Sequence, residues 1–281
     1  MTPSSQDSAK MPSPTLLLES ELDRPLTVAL PKGKAVLFSR PHPTRQSPNQ
    51  DAAAIIPASS EQSLLIVADG MGGTRQGGEA AATVIHQLSK QLPLESDGQQ
   101  LRTAILNGIE EANRQILSNF PGSGSTLAAV EIHATTIRPY HIGDTEILVV
   151  GQRGKLKFQS ISHSLVGMGV EAGLIDEEEA LHHDERHIIL NAIGSIDMRI
   201  ELGAPLQLDR HDTLLLASDG LTDNLSLDEI IEIIRKGPLS EGVHELASLA
   251  SRRMAESGSG QDSGHPSKPD DLTLLAYRRT S

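Results

Sequence analysis

Hydrophobic residues along this chain occur in two patterns, as short unbroken runs and as runs with helical spacing. Unbroken runs within residues 61–68 and 202–217 predict strands that are buried on both faces. Apolar positions that recur at helical spacing predict two helices, at 78–92 and 99–120. From residue 123 to residue 159 the sequence alternates or runs apolar between glycine-containing breaks, which predicts consecutive antiparallel hairpins.

The other structured segments carry more local signals. Residues 26–38 predict one or two edge strands, and Ser226 with Glu229 forms a capping box that begins a helix ending near residue 235. The remaining predictions are a loop at 39–51, a strand beginning at residue 52, a polar and partly helical segment at 163–192, a helix at 241–256 and a final strand at 270–277.

Two stretches lack any hydrophobic period. Residues 1–25 are rich in Ser, Pro and Asp, and residues 257–269 consist mainly of Ser, Gly and Pro. We therefore expect a flexible leader at 1–25, one domain at 26–281 and a flexible loop at 257–269 inside that domain. The length agrees with this division, because 281 residues suffice for one large domain and are too few for three.

The order of the predicted elements favours an α+β fold in which two sheets pack together and helices cover their outer faces. Apolar runs, rather than strict alternation, suit sheets that are covered on both faces. A doubly wound parallel sheet is the alternative. It requires regular alternation of strands and helices, which the hairpin region lacks.

Charge and composition exclude several classes of function. The formal net charge is −13 and aromatic residues make up 2% of the chain, so we expect neither a basic nucleic-acid surface nor a set of stacking aromatics. The absence of cysteine excludes disulfides, thiolate zinc sites and a cysteine nucleophile. No apolar run approaches the about 18 to 20 residues of a membrane-spanning helix. We therefore expect a cytoplasmic protein without membrane association.

Aspartates stand at the ends of the predicted strands. Asp69 ends one apolar run and precedes Gly70, so the Asp69 carboxylate and the bare Gly70 carbonyl can both reach one hard cation. Asp219 ends a second apolar run in the same Asp-Gly arrangement. The full set at strand edges and tight turns is Asp51, Asp69, Asp144, Asp219 and Asp270.

The chemistry of this set depends on whether the strands bring its members together. An isolated Asp-Gly pair is most often a plain turn. Converging carboxylates, in contrast, cannot all stay ionised without cations, and ligands that are all oxygen favour Mg²⁺ or Mn²⁺ over zinc. Two such ions can hold a bridging hydroxide and clamp a phosphoryl group, so convergence would indicate phosphoester hydrolysis without a covalent intermediate.

Seven segments of the chain match a known family in order and spacing. They are NQD at 49–51, VADGMGG at 67–73, GST at 124–126, HIGDTEILVV at 141–150, HSLVGMGVEAGLIDEEEALHHDERHIILNAIGS at 163–195, LLLASDGLTDNLS at 214–226 and DDLTLL at 270–275. Together they resemble the bacterial branch of the PPM or PP2C-type protein serine/threonine phosphatases. The resemblance implies a four-layer α/β-β/α sandwich, two antiparallel β-sheets flanked by helices, with a binuclear Mn²⁺ or Mg²⁺ site between the sheets.

Carried over residue by residue, the resemblance assigns most of the aspartates. Asp51 and Asp69 resemble the family's N-terminal metal ligands, with Asp69 as the bridge and the Gly70 carbonyl as a further ligand. Asp219 and Asp270 resemble the C-terminal ligands. The implied reaction is attack of a metal-bridging hydroxide on phosphoserine or phosphothreonine.

Two further segments resemble parts of the family's site. Asp144, in the sequence GDTE, matches the aspartate of the family's GDSR turn, which implies a role in holding a third and more weakly bound metal. Residues 163–195 resemble the variable flap, for which the family implies contact with substrate.

The chain departs from the family's pattern at several positions. Arg45 lies six residues before Asp51, whereas the family's phosphate-gripping arginine lies five before. We expect Arg45 to hold substrate phosphate, with a surface arginine as the alternative. Met71 stands where some relatives carry a histidine proposed as general acid, and a thioether cannot donate a proton. The other departures are Thr74-Arg75-Gln76 after the glycines, Ser162 before the flap, and Asp271 after the last ligand. We expect Asp271 to face solvent, with tuning of the second metal as the alternative.

The expected function is therefore a metal-dependent phosphatase that acts on a phosphoprotein substrate of a serine/threonine kinase. We expect a monomer with two metal ions and a weaker third. One alternative is a catalytically weak pseudophosphatase that serves as a binding module, and the intact aspartates argue against it. Another is a different two-metal hydrolase of small phosphoesters or nucleic acid. The histidines at 182–187 are expected to lie on an exposed connector, and His141 to pack at a strand.

Overall fold

The computed structural model describes residues 13–72, 75–92, 98–176, 179, 180, 183, 185, 188–256 and 267–280. Its strands are β1 (Thr15–Leu18), β2 (Leu26–Leu30), β3 (Gly33–Arg40), β4 (Ala52–Pro57), β5 (Gln62–Ala68), β6 (Gly70–Met71), β7 (Gly124–Ser125), β8 (Leu127–His133), β9 (Thr136–Ile142), β10 (Glu146–Val150), β11 (Leu156–Gln159), β12 (Glu201–Leu202), β13 (Leu206–Gln207), β14 (Thr213–Ala217) and β15 (Leu272–Arg279). Its helices are α1 (Gln76–Gln91), α2 (Gly98–Asn119), α3 (Leu165–Glu171), α4 (Asp219–Thr222), α5 (Leu227–Ile234) and α6 (Leu239–Glu256).

The strands form two large antiparallel sheets that pack face to face. The first has the order β1-β4-β5-β8-β9-β12, with β13 also paired to β9. The second has the order β11-β10-β14-β15-β3-β2. A short pair, β6 with β7, lies beside them. The antiparallel sandwich predicted from the sequence is confirmed, and the parallel alternative is excluded.

The apolar runs are explained by a separate hydrophobic core on each face of a sheet. In β5, Leu65 and Val67 point into the core between the two sheets. Their neighbours Leu64 and Ile66 point to the opposite face and pack under α1 and α2. Because successive strand residues alternate between the faces, a strand with a core on both sides reads as an unbroken apolar run.

The outer faces of the two sheets are covered by helices. Val84, Ile85 and Leu88 of α1 pack with residues of α2 over the first sheet. On the second sheet, α5 and α6 supply the cover. The predicted capping box at Ser226 and Glu229 begins α5. The resulting order is helices, sheet, sheet, helices, as the resemblance implied. Among the described helices, none combines the length and the apolar character needed to cross a membrane.

Antiparallel pairing places the beginnings and ends of four strands at one edge of the sandwich. β4 begins beside the end of β5, with Ala52 paired to Ala68. β15 begins close to the end of β14, with Leu274 paired to Ala217. Residues just before β4 and β15, and just after β5 and β14, are therefore brought to the same place. The sequence puts an aspartate at each of these positions.

The leader predicted at 1–25 is wrong in its second half. Strand β1 pairs with β4 over four residues, from Thr15 opposite Ile55 to Leu18 opposite Ala52. Leu16 and Leu18 pack against the helix-covered core, and Leu17 packs against the core between the sheets. Three leucines are too few to show a period, so only the neighbouring strand identifies them as a strand. Residues 1–12 lie outside the described part of the chain.

Two other predictions are corrected at the level of single strands. The segment 26–38 contains one edge strand, β2, whereas β3 lies inside its sheet between β15 and β2. The strand predicted at 202–217 is divided into β12, β13 and β14, because the first two pair with β9 and the third belongs to the other sheet. Of the loop predicted at 257–269, residues 257–266 lie outside the description.

Candidate active site

Asp51 is held in the interior by one hydrogen bond to its side chain and another from its backbone N–H. Its side chain is buried, and Ser218 Oγ donates to Asp51 Oδ2 at 2.7 Å. Its backbone N–H donates to Asn49 Oδ1 at 2.9 Å. The Asn49 amide in turn donates to Ser39 Oγ at 2.8 Å. These buried contacts fix the carboxylate at the start of β4.

Asp69 is fixed through its main chain. Its backbone N–H donates to Thr126 Oγ1 at 3.0 Å, and its carbonyl accepts from the Thr126 N–H at 2.9 Å. The Thr126 hydroxyl also contacts the hydroxyl of Thr145. Because both backbone groups of Asp69 are satisfied by Thr126, the carboxylate direction is set by the strand end itself.

Gly70 occupies a position that no other residue can fill without movement of the backbone. A Cβ added there would lie 2.1 Å from the carbonyl oxygen of Gly77 and 2.7 Å from that of Gln50. The start of α1 therefore packs directly against the main chain after Asp69. Only the absence of a side chain permits this approach.

Asp219 and Asp270 converge on the ammonium of Lys268. Lys268 Nζ lies 2.9 Å from Asp219 Oδ2, 2.7 Å from Asp223 Oδ2 and 3.2 Å from Asp270 Oδ2. Burial lowers the pKa of Lys268, but Asp219, Asp223 and Asp270 outweigh burial and raise it above its ordinary value. The lysine is therefore a permanent positive charge at this side of the cluster.

The cluster raises the pKa values of its carboxyl groups. Burial, then repulsion by Asp51 and Asp219, raises the pKa of Asp69 well above its ordinary value. Burial, then repulsion by Asp219, raises the pKa of Asp144. The same two causes, in the same order, raise the pKa of Asp270 to about 6. Burial, then Asp271, raises the pKa of Asp51. Like charges held this close together cost stability unless cations neutralise them.

Four of the predicted aspartates, Asp69, Asp144, Asp219 and Asp270, line one cavity of about 340 Å³, and Asp51 is not part of its wall. Within the described residues, Asp51 Oδ1 and Asp219 Oδ1 are buried oxygens without a hydrogen-bond partner. Buried carboxylate oxygens of this kind are ligands for a hard cation. The cavity wall consists of Arg45, Gln50, Asp69, Gly70, Met71, Gly72, Thr126, Asp144, Ile189, Asp219, Lys268 and Asp270.

Comparison with known proteins identifies the family. The family model described as "Protein phosphatase 2C" matches residues 40–250. The serine/threonine phosphatase stp of Listeria welshimeri is 31% identical over 206 residues, which are 69% of this chain and 80% of that protein. The chain belongs to the protein phosphatase 2C family. Four of the five predicted aspartates lie within the matched range, and Asp270 lies beyond it.

Solved PP2C structures agree with the fold. The serine/threonine phosphatase of S. agalactiae superposes with a TM-score of 0.74 at 30% identity, covering 88% of this chain and 99% of that one. The catalytic domain of the serine/threonine protein phosphatase PstP, in complex with two manganese ions, superposes with a TM-score of 0.70 at 26% identity. That comparison covers 89% of this chain and 99% of the PstP chain. This chain is accordingly a protein serine/threonine phosphatase of a family that works with divalent metals.

Arg45 lies in the cavity wall despite its shifted position in the sequence. Its Nη1 donates to Gln50 Oε1 at 3.2 Å. The backbone N–H of Arg45 donates to His42 Nδ1 at 3.1 Å, so the loop folds back on itself before Asp51. This fold accommodates the additional residue between Arg45 and Asp51.

Asp271 does not face solvent, and the expectation that it does is wrong. It is 4% exposed. Its Oδ1 accepts from the His42 N–H at 2.7 Å, and its Oδ2 accepts from the Gln50 N–H at 3.1 Å. A carboxylate here fastens both ends of the loop that carries Arg45 to the start of β15. Sequence alone gives no sign of these partners, because they lie more than 220 residues earlier in the chain.

His141, His163 and Glu201 form a second cluster, which contacts the two neighbours of Asp144 in the chain, Gly143 and Thr145. His163 Nδ1 accepts from the Gly143 N–H at 3.1 Å, so its proton is assigned to Nε2, which pairs with Glu201 Oε2 at 2.8 Å. The His141 and His163 ring centroids are 4.7 Å apart. A protonated Nε2 cannot ligate a metal. The cluster therefore supports the turn that carries Asp144, and His141 is a packed residue as predicted.

Two members of the centre escaped the sequence analysis. Asp223 follows Asp219 by four residues, a spacing that places both on one side of a helical turn. The spacing of four residues is therefore a local signal in the sequence that associates Asp223 with Asp219. Lys268 lies in the segment predicted as a flexible loop, and nothing in its local sequence indicates an inward position. Of the histidines at 182–187, only His183 lies in the described part of the chain.

Proposed function

We propose that this chain hydrolyses phosphoserine and phosphothreonine in a phosphoprotein, at the centre formed by Asp51, Asp69, Gly70, Asp219 and Asp270, with Mn²⁺ or Mg²⁺ as cofactor. The observation that carries the proposal is the convergence of Asp69, Asp219 and Asp270 on one cavity of about 340 Å³. The buried Asp51 is joined to this group through Ser218, the neighbour of Asp219 in the chain. The proposal includes two metal ions, a phosphoprotein that is the substrate of a serine/threonine kinase, a monomeric enzyme and a cytoplasmic location. Nucleic acid is no partner in it, because the net charge is −13.

The donor set fits divalent cations of this kind. Asp51 offers a buried carboxylate and Asp69 a half-buried one, and Asp51 Oδ1 and Asp219 Oδ1 have no hydrogen-bond partner among the described residues. The set contains oxygen alone, which suits Mg²⁺ and Mn²⁺ better than zinc. When bound, the cations act as Lewis acids toward the phosphoryl group and activate the attacking water.

The residues of the chain supply position and charge. Arg45 stands in the cavity wall, and its guanidinium fork matches two oxygens of a phosphate group. Ser218 and Thr126 hold Asp51 and Asp69 in place. Met71 lines the same cavity and has no proton to give, so it cannot act as the general acid for the leaving oxygen.

The test is the pair of variants Asp69→Ala and Asp219→Ala, assayed on a phosphothreonine peptide with Mn²⁺. We expect each to lower kcat/KM by at least about two orders of magnitude, as removal of a preorganised electrostatic group does. The matched control is Asp209→Ala, which removes an exposed aspartate paired with Lys157 and lies outside the centre. Circular dichroism confirms that each variant is folded. Near-normal turnover in Asp69→Ala or Asp219→Ala would overturn the proposed site.

A further inference from the structure

The acidic centre contains a cation that belongs to the chain itself. Lys268 Nζ has a carboxylate oxygen of Asp219, Asp223 and Asp270 within 3.2 Å. An ammonium group has three N–H donors. Two hydrogen bonds, to Asp219 and Asp223, and the ion pair with Asp270 therefore hold the ammonium against carboxylates of the chain itself.

The position of Lys268 is built into the fold. Its backbone N–H donates to Asn224 Oδ1 at 2.9 Å, and its carbonyl accepts from Asn224 Nδ2 at 2.8 Å. Asn224 is fully buried. The preceding residue, Ser267, donates through Oγ to the Arg253 carbonyl at 2.7 Å, and Pro269 follows with its restricted backbone. The lysine is thus anchored on both sides.

Asp144 lines the same cavity as Asp219, Asp270 and Lys268. In addition, Asp219 and Asp223 raise the pKa of Asp144, after the larger effect of burial, and Lys268 opposes them. These four groups therefore share one electrostatic environment. The two-metal centre keeps Asp219 Oδ1, which has no hydrogen-bond partner among the described residues. A further divalent ion between Asp144, Asp219 and Asp223 would share Asp219 Oδ2 and Asp223 Oδ2 with the ammonium and would be repelled by it.

We infer that Lys268 is a tethered cation that takes the place of a third metal ion, so that this chain is complete with two divalent ions. The inference rests on the proposed metal centre and revises the weaker third metal expected at Asp144. The Lys268 ammonium competes with a divalent ion for the same carboxylates. The fixed positive charge of the ammonium neutralises carboxylates that an exchangeable ion would otherwise bind.

The experiment counts Mn²⁺ bound by the resting protein, without substrate, by calorimetry and by electron paramagnetic resonance of the unbound ion. We expect wild type to bind two Mn²⁺. Lys268→Met keeps the length of the side chain and removes the charge. Lys268→Met should bind a third Mn²⁺, and its affinity for that ion should be at least tenfold higher than the affinity of wild type for a third ion. The double variant Lys268→Met, Asp144→Asn should lose the added ion.

Lys157→Met is the matched control, because Lys157 also bridges two aspartates, with Nζ 2.6 Å from Asp209 Oδ2 and from Asp212 Oδ2. It should bind the same number of ions as wild type. Lys268→Arg keeps the charge and should also bind two. In EDTA, Lys268→Met should unfold at a lower temperature than wild type, and Mn²⁺ should reverse the difference.

The outcomes separate this inference from the proposed function. Binding of two ions by both wild type and Lys268→Met, with equal affinities, overturns the role of Lys268 alone. Binding of three ions by wild type does the same, even where the variant fails to fold. Absence of Mn²⁺ binding by folded wild type overturns the metal centre together with this inference.

Discussion

Replacing Asp270 with Asn should make the metal-free protein more stable while it removes the metal-dependent activity. Burial, then repulsion by Asp219, raises the pKa of Asp270 from 3.8 to about 6. One pKa unit corresponds to about 1.4 kcal/mol, so the ionised carboxylate costs the metal-free fold about 3 kcal/mol above pH 6. Asparagine has the same shape and no charge, and its Oδ1 still accepts the Asp271 N–H, which lies 3.0 Å from Asp270 Oδ1.

The effect has a defined pH dependence. The pKa is raised on folding, so the folded state binds the proton more tightly than the unfolded state. The associated stability is fully present below pH 4 and is lost as the pH rises through about 6. The advantage of Asp270→Asn should therefore be near zero at pH 4 and should reach about 1 to 3 kcal/mol at pH 8.

The assay is thermal unfolding in EDTA at several pH values. For a chain of this size, the gain at pH 8 corresponds to a rise in Tm of about 3 to 10 °C. At a thousandfold excess of Mn²⁺ over the wild-type Kd the order should reverse, because wild type gains about 4 kcal/mol, more than its deficit of about 1 to 3 kcal/mol, and the variant, which lacks the carboxylate ligand, gains little. The control is Asp212→Asn. Its carboxylate is paired with Lys157 at 2.6 Å, so the same substitution should destabilise.

An equal or lower Tm for Asp270→Asn at pH 8 in EDTA would refute the reasoning. It would mean that the ion pair with Lys268 at 3.2 Å outweighs burial and repulsion. A rise in Tm that is the same at every pH would also contradict this prediction, because it would mean that Asp270→Asn stabilises the protein through packing and not through loss of charge.

Two further substitutions test the remaining parts of the site. Arg45→Ala should raise KM about tenfold with a smaller change in kcat, because the guanidinium binds phosphate in the ground state, and unchanged kinetics on a phosphothreonine peptide would assign Arg45 to the surface. Gly70→Ala should destabilise by about 3 kcal/mol or more and weaken Mn²⁺ binding, because its Cβ would lie 2.1 Å from the Gly77 carbonyl. Gly78→Ala, whose Cβ has its nearest contact at 3.6 Å, is the matched control and should be tolerated in both unfolding and binding measurements.

The large elements of the fold follow from local sequence because their signals are strong. The buried strand before Asp69 and the helices over it have clear periods, and the capping box at Ser226 begins its helix where predicted. β1 was missed because three leucines become a strand only beside β4. The segment 202–217 predicts one strand rather than three, because apolar residues do not reveal which sheet they join.

The site shows the same division. Asp69 and Asp219 are recognisable because each ends an apolar run, and antiparallel pairing then brings the strand ends together. The environment of Asp271 is decided by backbone groups of His42 and Gln50, far away in the chain. Lys268 sits in a segment whose composition predicts only flexibility. Contacts of this kind depend on tertiary structure and leave no local pattern.

The most direct test of the central claim is hydrolysis of a phosphothreonine peptide by the purified protein, with Mn²⁺ present and with Mn²⁺ removed by EDTA. We expect phosphate release that requires the metal, returns when Mn²⁺ is added back, and is absent from Asp69→Ala. Phosphate release that persists in EDTA, or complete inactivity of folded protein with Mn²⁺ demonstrably bound, would contradict it.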